Sequence, residues 1–166
     1  MTDENRRIPP MKPSPRHPMM SRRGQRGVSL LEVLIAVLVL GVGMLGIAAM
    51  QSMSLRNSLS ALERSQATVQ TYSILDAMRA NLDSARAGNY NRAMPAAGSC
   101  PLPAAGATLA SRNLSDWIGS LQATLGPSAC GSVDCNAGVC EIGVRWNDER
   151  GSGGIAAQQL NTRSRL

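Results

Sequence analysis

RGVSLLEVLIAV, residues 26–37, sets one glutamate, Glu32, inside a run of apolar residues that carries no other charge. Extended outward, the run reaches from Val28 to Met50, 23 residues with Glu32 as the single ionisable side chain. As a helix this length spans roughly 35 Å, enough for a bilayer hydrocarbon core of about 30 Å. The competing reading is a core helix wrapped by a globular domain. A chain of 166 residues with no Phe, two Trp and two Tyr has little material to wrap it. The spacing therefore predicts a transmembrane helix over 28–50.

Upstream the composition changes abruptly. Residues 1–27 hold seven basic residues (Arg6, Arg7, Lys12, Arg16, Arg22, Arg23, Arg26) against Asp3 and Glu4. The remainder holds ten basic and nine acidic residues, so the overall charge of +6 belongs to the tail. Five of the nine prolines and the sole histidine, His17, also lie there. Proline fixes φ and removes a donor, so the tail is expected to be extended and unfolded. Basic residues before the apolar run and only Arg56 soon after it place the tail in the cytoplasm and export the rest. Other addresses fit poorly. SRRG at 21–24 lacks the apolar residues that follow a twin-arginine pair, GIAAM at 46–50 is a poor cleavage site, and no cysteine lies near residue 50.

Past Met50 an apolar stripe continues at steps of mostly three and four through Leu55, Leu59, Leu62, Val69, Tyr72, Leu75, Met78 and Leu82. That spacing extends the helix as an amphipathic one. Gly41, Gly43 and Gly46 interrupt the apolar half, where small residues let helix backbones approach. Residues 83–113, rich in Ala, Gly, Pro and Asn, read as an irregular loop. NLSDWIGSLQATLGP then puts Leu114, Trp117, Ile118, Leu121 and Leu125 on one helical face, with Asn113 as expected N-cap and Gly126-Pro127 as its end. VCEIGVRW at 139–146 alternates as a half-buried strand, with Ile142, Val144 and Trp146 facing inward. GSGG at 151–154 turns the chain into a final strand over 156–166, with Leu160 and Leu166 inward. The expected fold is α+β: a long N-terminal helix packed on a small antiparallel sheet.

Cys100, Cys130, Cys135 and Cys140 all fall in the exported part. An even count in an oxidising compartment favours two disulfides stapling a small domain, with three pairings open. Zinc fits less well, because the C-x4-C-x4-C spacing has neither a short C-x2-C pair nor a histidine. Nothing in the pattern calls for a cofactor. The exported part offers no histidine, no GxSxG and no close carboxylate pair, Asp148-Glu149 reading as a solvated turn, so no enzyme is expected. Without a basic run or stacking aromatics, nucleic-acid binding has no support.

The residues RG-VSLLE, a basic tail ending in Gly27, a glutamate five positions on and then about 18 apolar residues, resemble the class III signal of type IV pilins and pseudopilins. The resemblance implies that a prepilin peptidase removes residues 1–27 by cutting between Gly27 and Val28, and that Val28 is methylated on its new amine. The family usually has Phe at that position, where this chain has Val28. It further implies four parts: a leader (1–27), a membrane or filament-core helix (28–50), its amphipathic continuation (51–82) and a small exported head (83–166). The physical chemistry agrees. Glycine leaves the scissile backbone open to a protease. A carboxylate in a bilayer costs about 2.5–3.5 kcal/mol at the centre, less near the edge, and calls for a partner. The freed amine, with a pKa near 8 in peptides, supplies a positive charge at the same depth. Glu32 is thus expected to be an assembly contact, with the inner membrane and other minor and major pilins as partners. SLLEVLIAVLVLGVGMLGIAAMQ at 29–51, WNDER at 146–150 and the terminal QQLNTRSRL narrow the resemblance to minor pilins. Minor pseudopilins of type II secretion nearly share the first block.

Overall fold

The computed structural model describes residues 27–166; the basic tail, His17 and nearly all of the expected leader lie outside the described residues. The chain divides into two units, Met1–Gly41 and Val42–Leu166. Helix α1, Leu30–Ala80, begins in the first and continues in the second. No proline occurs between residues 19 and 94, and the Ser29 carbonyl starts the helix by accepting from the Glu32 and Val33 N–H groups. Every residue from 27 to 59 is exposed. By length and composition α1 can cross a membrane.

In the second unit α1 buries Ala67, Gln70, Thr71, Ile74, Leu75 and Met78. This corrects the stripe read from the sequence. Leu55, Leu59, Leu62, Val69 and Tyr72 are all more than half exposed, and Leu75 and Met78 alone are shared with the fully buried face. The period was right and the phase was set by the largest residues. The buried face adds the small and polar residues Ala67, Gln70 and Thr71 to Ile74, Leu75 and Met78. Polar groups along it are hydrogen-bonded both within the helix and from Trp117. Thr71 Oγ1 donates to the Ala67 carbonyl (2.9 Å), and the Gln70 carbonyl accepts from Trp117 Nε1 (2.9 Å).

The segment expected as loop contains more structure than its composition advertised. Helix α2, Leu82–Arg86, follows a break at Asn81, and α3 spans Leu109–Leu125. Thr108, not Asn113, caps α3: its Oγ1 accepts from the Ser111 N–H at 3.2 Å. Asn113 sits a turn inside the helix and donates to the Tyr90 hydroxyl at 2.9 Å. The face Leu114, Trp117, Ile118, Leu121 and Leu125 is buried as expected, and Gly126 ends the helix with φ 101°.

Strands β1 (Cys130–Asn136), β2 (Val139–Trp146) and β3 (Gln158–Arg165) form an antiparallel sheet in that order. The sequence reading missed β1, whose CGSVDCN has one β-branched residue. It forms because Ala137-Gly138, both at positive φ, make a two-residue hairpin that pairs it along β2. Ile142, Val144 and Trp146 point into a core shared with α1 and α3. Gly131 lets the sheet meet that core closely, since a Cβ there would lie 2.2 Å from the Trp117 ring. The molecule is α+β and pilin-like, with two disulfides, Cys100–Cys130 and Cys135–Cys140, and no free cysteine among the described residues.

Candidate functional site

Two constellations stand out, one in each unit. In the first, Gly27 and Val28 precede α1 and are exposed, Val28 at 69%. A Cβ placed on Gly27 would meet nothing within 4 Å, so packing does not demand glycine there. Glu32 lies in the first helical turn, where the helix dipole favours a carboxylate. Val28, Glu32, Val33, Ala36, Val37 and Leu40 line one shallow groove. Among the described residues no cation lies within ion-pair distance of Glu32. The arrangement is an anionic group on an otherwise apolar helix with its side chains unpacked. It has no nucleophile–base geometry and suits pairing with a cation brought by another molecule.

The second constellation braces the head. The motif WNDER follows β2, and its Asp148 is 1% exposed, contrary to the solvated turn expected for Asp148-Glu149. Ser60 of α1 donates to Asp148 Oδ2 at 2.7 Å, and Arg64 approaches the same oxygen at 3.9 Å. Arg150 pairs with Glu63 at 2.9 Å. The Asp148 carbonyl accepts from the Gly151 N–H, and a Cβ on Gly154 would collide with that carbonyl. Thus WNDER and GSGG form a clasp on α1. The sequence signal was the run of glycines after an acid at a strand's end.

On the sheet's other face the Ala/Pro-rich segment crosses as a strap. Arg145 donates to the Pro95 and Ala96 carbonyls at 2.7 and 2.8 Å, and Arg92 to the Pro101 carbonyl at 2.9 Å. Burial alone holds the Arg92 guanidinium below its ordinary pKa. This strap buries Gly143 and Arg145, which alternation had assigned to solvent. The sequence reading overlooked both arginines, because neither has an acid at a telling spacing.

The four cysteines pair with each other, so none is free to ligate a metal; among the described residues no group of three His, Cys, Asp or Glu could hold one. Residues 22–48 match a family model described as the prokaryotic N-terminal methylation motif. No curated protein and no solved structure matches the chain. The motif supports a type IV pilin-like or pseudopilin protein, a structural subunit's context, and processing by a prepilin peptidase. Together with the N-terminal apolar helix it fits anchoring in the inner membrane and a place in a pilus.

Proposed function

We propose that the chain is a minor pilin, a structural subunit of low abundance that promotes or primes type IV pilus assembly. The observation that carries this reading is the methylation motif falling on the N-terminal stretch of α1, where the apolar side chains up to Met50 are all exposed and the only acid is Glu32. The peptidase cuts between Gly27 and Val28, and Val28 is then methylated. An exposed Gly27 with no packing duty fits a residue retained for protease access. The amine of Val28 in one subunit pairs with Glu32 of a neighbour and sets axial register as helices stack. The N-terminus faces the cytoplasm before cleavage and the head faces the periplasm. Within the pilins the chain resembles the type IV pilus modification protein PilV, through SLLEVLIAVLVLGVGMLGIAAMQ at 29–51 and WNDER at 146–150. Because pseudopilins nearly share the first block, a minor pseudopilin of type II secretion is the second reading.

Intact mass of the membrane-extracted protein should begin at Val28 with one added methyl. A dominant species that keeps residues 1–27 in cells with the peptidase overturns the proposal. Glu32→Ala should spare cleavage and insertion yet reduce co-purification with sheared filaments by about tenfold, the size of a lost charge-assisted contact. Deleting the gene separates the branches. Lost piliation supports the pilus subunit, whereas normal piliation with failed protein secretion identifies a pseudopilin.

A further inference from the structure

We infer that Cys100–Cys130 is a thiol–disulfide exchange site, opened by an exported dithiol that attacks Cys100 and expels Cys130 as a thiolate held by Arg92 and Arg145. The two sulfurs of this bond occupy unlike surroundings. Cys130 is fully buried, while Cys100 lies in the strap and is partly exposed. Arg92 Nη2 stands 4.0 Å from Cys130 Sγ. Arg145 is the cross-strand partner of Cys130, which puts both side chains on one sheet face. Neither arginine pairs with a carboxylate among the described residues; both spend their donors on strap carbonyls. Arg92 Nε is buried without a partner, so the guanidinium is partly desolvated, and no carboxylate among the described residues offsets its charge. The nearest acid on that face of β1, Asp134, is four residues along, roughly 13 Å.

A guanidinium beside a sulfur favours its thiolate, and a thiol of lowered pKa leaves faster in exchange. The step follows from that asymmetry. A thiolate of the dithiol attacks Cys100 Sγ, the S–S bond breaks, and its electron pair goes to Cys130 Sγ. A mixed disulfide now joins Cys100 to the reagent. The reagent's second thiol gives up its proton and attacks its own sulfur in that bond, and the Cys100 thiolate leaves and takes a proton. The protein gains two electrons and the dithiol becomes a disulfide. Cys135–Cys140 serves as an internal control. Its Cys140 is equally buried, yet no arginine donates to either of its sulfurs among the described residues. Opening the first bond removes the covalent tie between the strap and β1, leaves the Arg92–Val133 backbone bridge in place, and keeps the β1–β2 hairpin stapled.

The test uses the full chain in detergent, treated with limiting dithiothreitol, quenched in acid, alkylated and mapped. The Cys100–Cys130 bond should open about tenfold faster than Cys135–Cys140. With glutathione as the probe, the adduct should sit on Cys100. Arg92→Gln should slow opening about tenfold, and Arg92→Lys should restore most of the rate. Equal rates for the two bonds in the unmodified chain, an adduct on Cys130, or no slowing in Arg92→Gln each overturns the inference. The adduct position is read on the unmodified chain, so the outcome stands even where the Gln variant fails to fold.

Discussion

Residues 28–50 and residues 109–146 are both rich in apolar side chains, but they solve opposite problems. In the first stretch every side chain is exposed and backbone hydrogen bonding is internal to one helix. Such a segment is complete in its polar groups and incomplete in its apolar ones, the condition that a bilayer or a bundle of like helices satisfies. In the second stretch, Trp117, Ile118, Leu121, Ile142, Val144 and Trp146 are each at most 4% exposed and close on one another. There the polar groups need help from elsewhere: Trp117 reaches the Gln70 carbonyl and Arg145 reaches the strap. One region waits for its surroundings, and the other carries them.

The sharpest way to break this contrast is a pair of truncations of similar size. Ile118→Ala removes a fully buried side chain and should lower head stability by about 2–5 kcal/mol. Leu38→Ala, at a residue 68% exposed, should change head stability by less than about 0.5 kcal/mol. Denaturant unfolding followed by tryptophan fluorescence reads both, since Trp117 and Trp146 lie in the core. Comparable losses in the two variants would mean that the apolar half of α1 contributes to head folding.

This contrast also explains what could be read from the sequence. Residues 28–50 were legible because a bilayer-length apolar run needs no tertiary partner to be recognised. The α3 face was legible because five large apolar residues repeat at helical spacing. The phase of α1 beyond residue 62 was not, since Ala67, Gln70 and Thr71 earn burial only through partners distant in sequence. Strand β1 was hidden for a like reason: its residues have weak strand preference, and pairing with β2 decides their state. The cysteine count announced two disulfides, but the pairing depends on how the strap crosses the sheet. The proposed cleavage at Gly27 and the proposed pairing at Glu32 are legible as a pattern, whereas the partners each would need belong to other molecules.

A middle-sized effect sharpens the account of the clasp. Asp148→Ala leaves the Ser60 hydroxyl without its acceptor and should cost about 1–3 kcal/mol. Glu149→Ala, one residue on and exposed, should stay within about 0.5 kcal/mol. Because both residues are acidic and adjacent, net charge cannot explain a difference between them. Thermal melts of the two variants side by side give the comparison, and equal melting temperatures would return Asp148 to a solvated turn.

The smallest effect concerns where α3 begins, and it separates two readings that place the start five residues apart. If Thr108 is the cap, Thr108→Ala should cost about 1 kcal/mol and Thr108→Ser almost nothing, since either hydroxyl can accept from the Ser111 N–H. Asn113 has a different duty, because its amide and that of Asn81 both donate to the Tyr90 hydroxyl, at 2.9 and 3.2 Å. Asn113→Ser would preserve a cap but cannot reach that hydroxyl, so it should cost about 0.5–1.5 kcal/mol. That cost should vanish in a Tyr90→Phe background, whereas the cost of Thr108→Ala should persist there. Two residues that share a hydrogen bond couple in a double-mutant cycle, and independent ones add. A Thr108→Ala loss that disappears with Tyr90→Phe would show that the helix start and the Tyr90 network are a single unit, and would move the cap back toward Asn113.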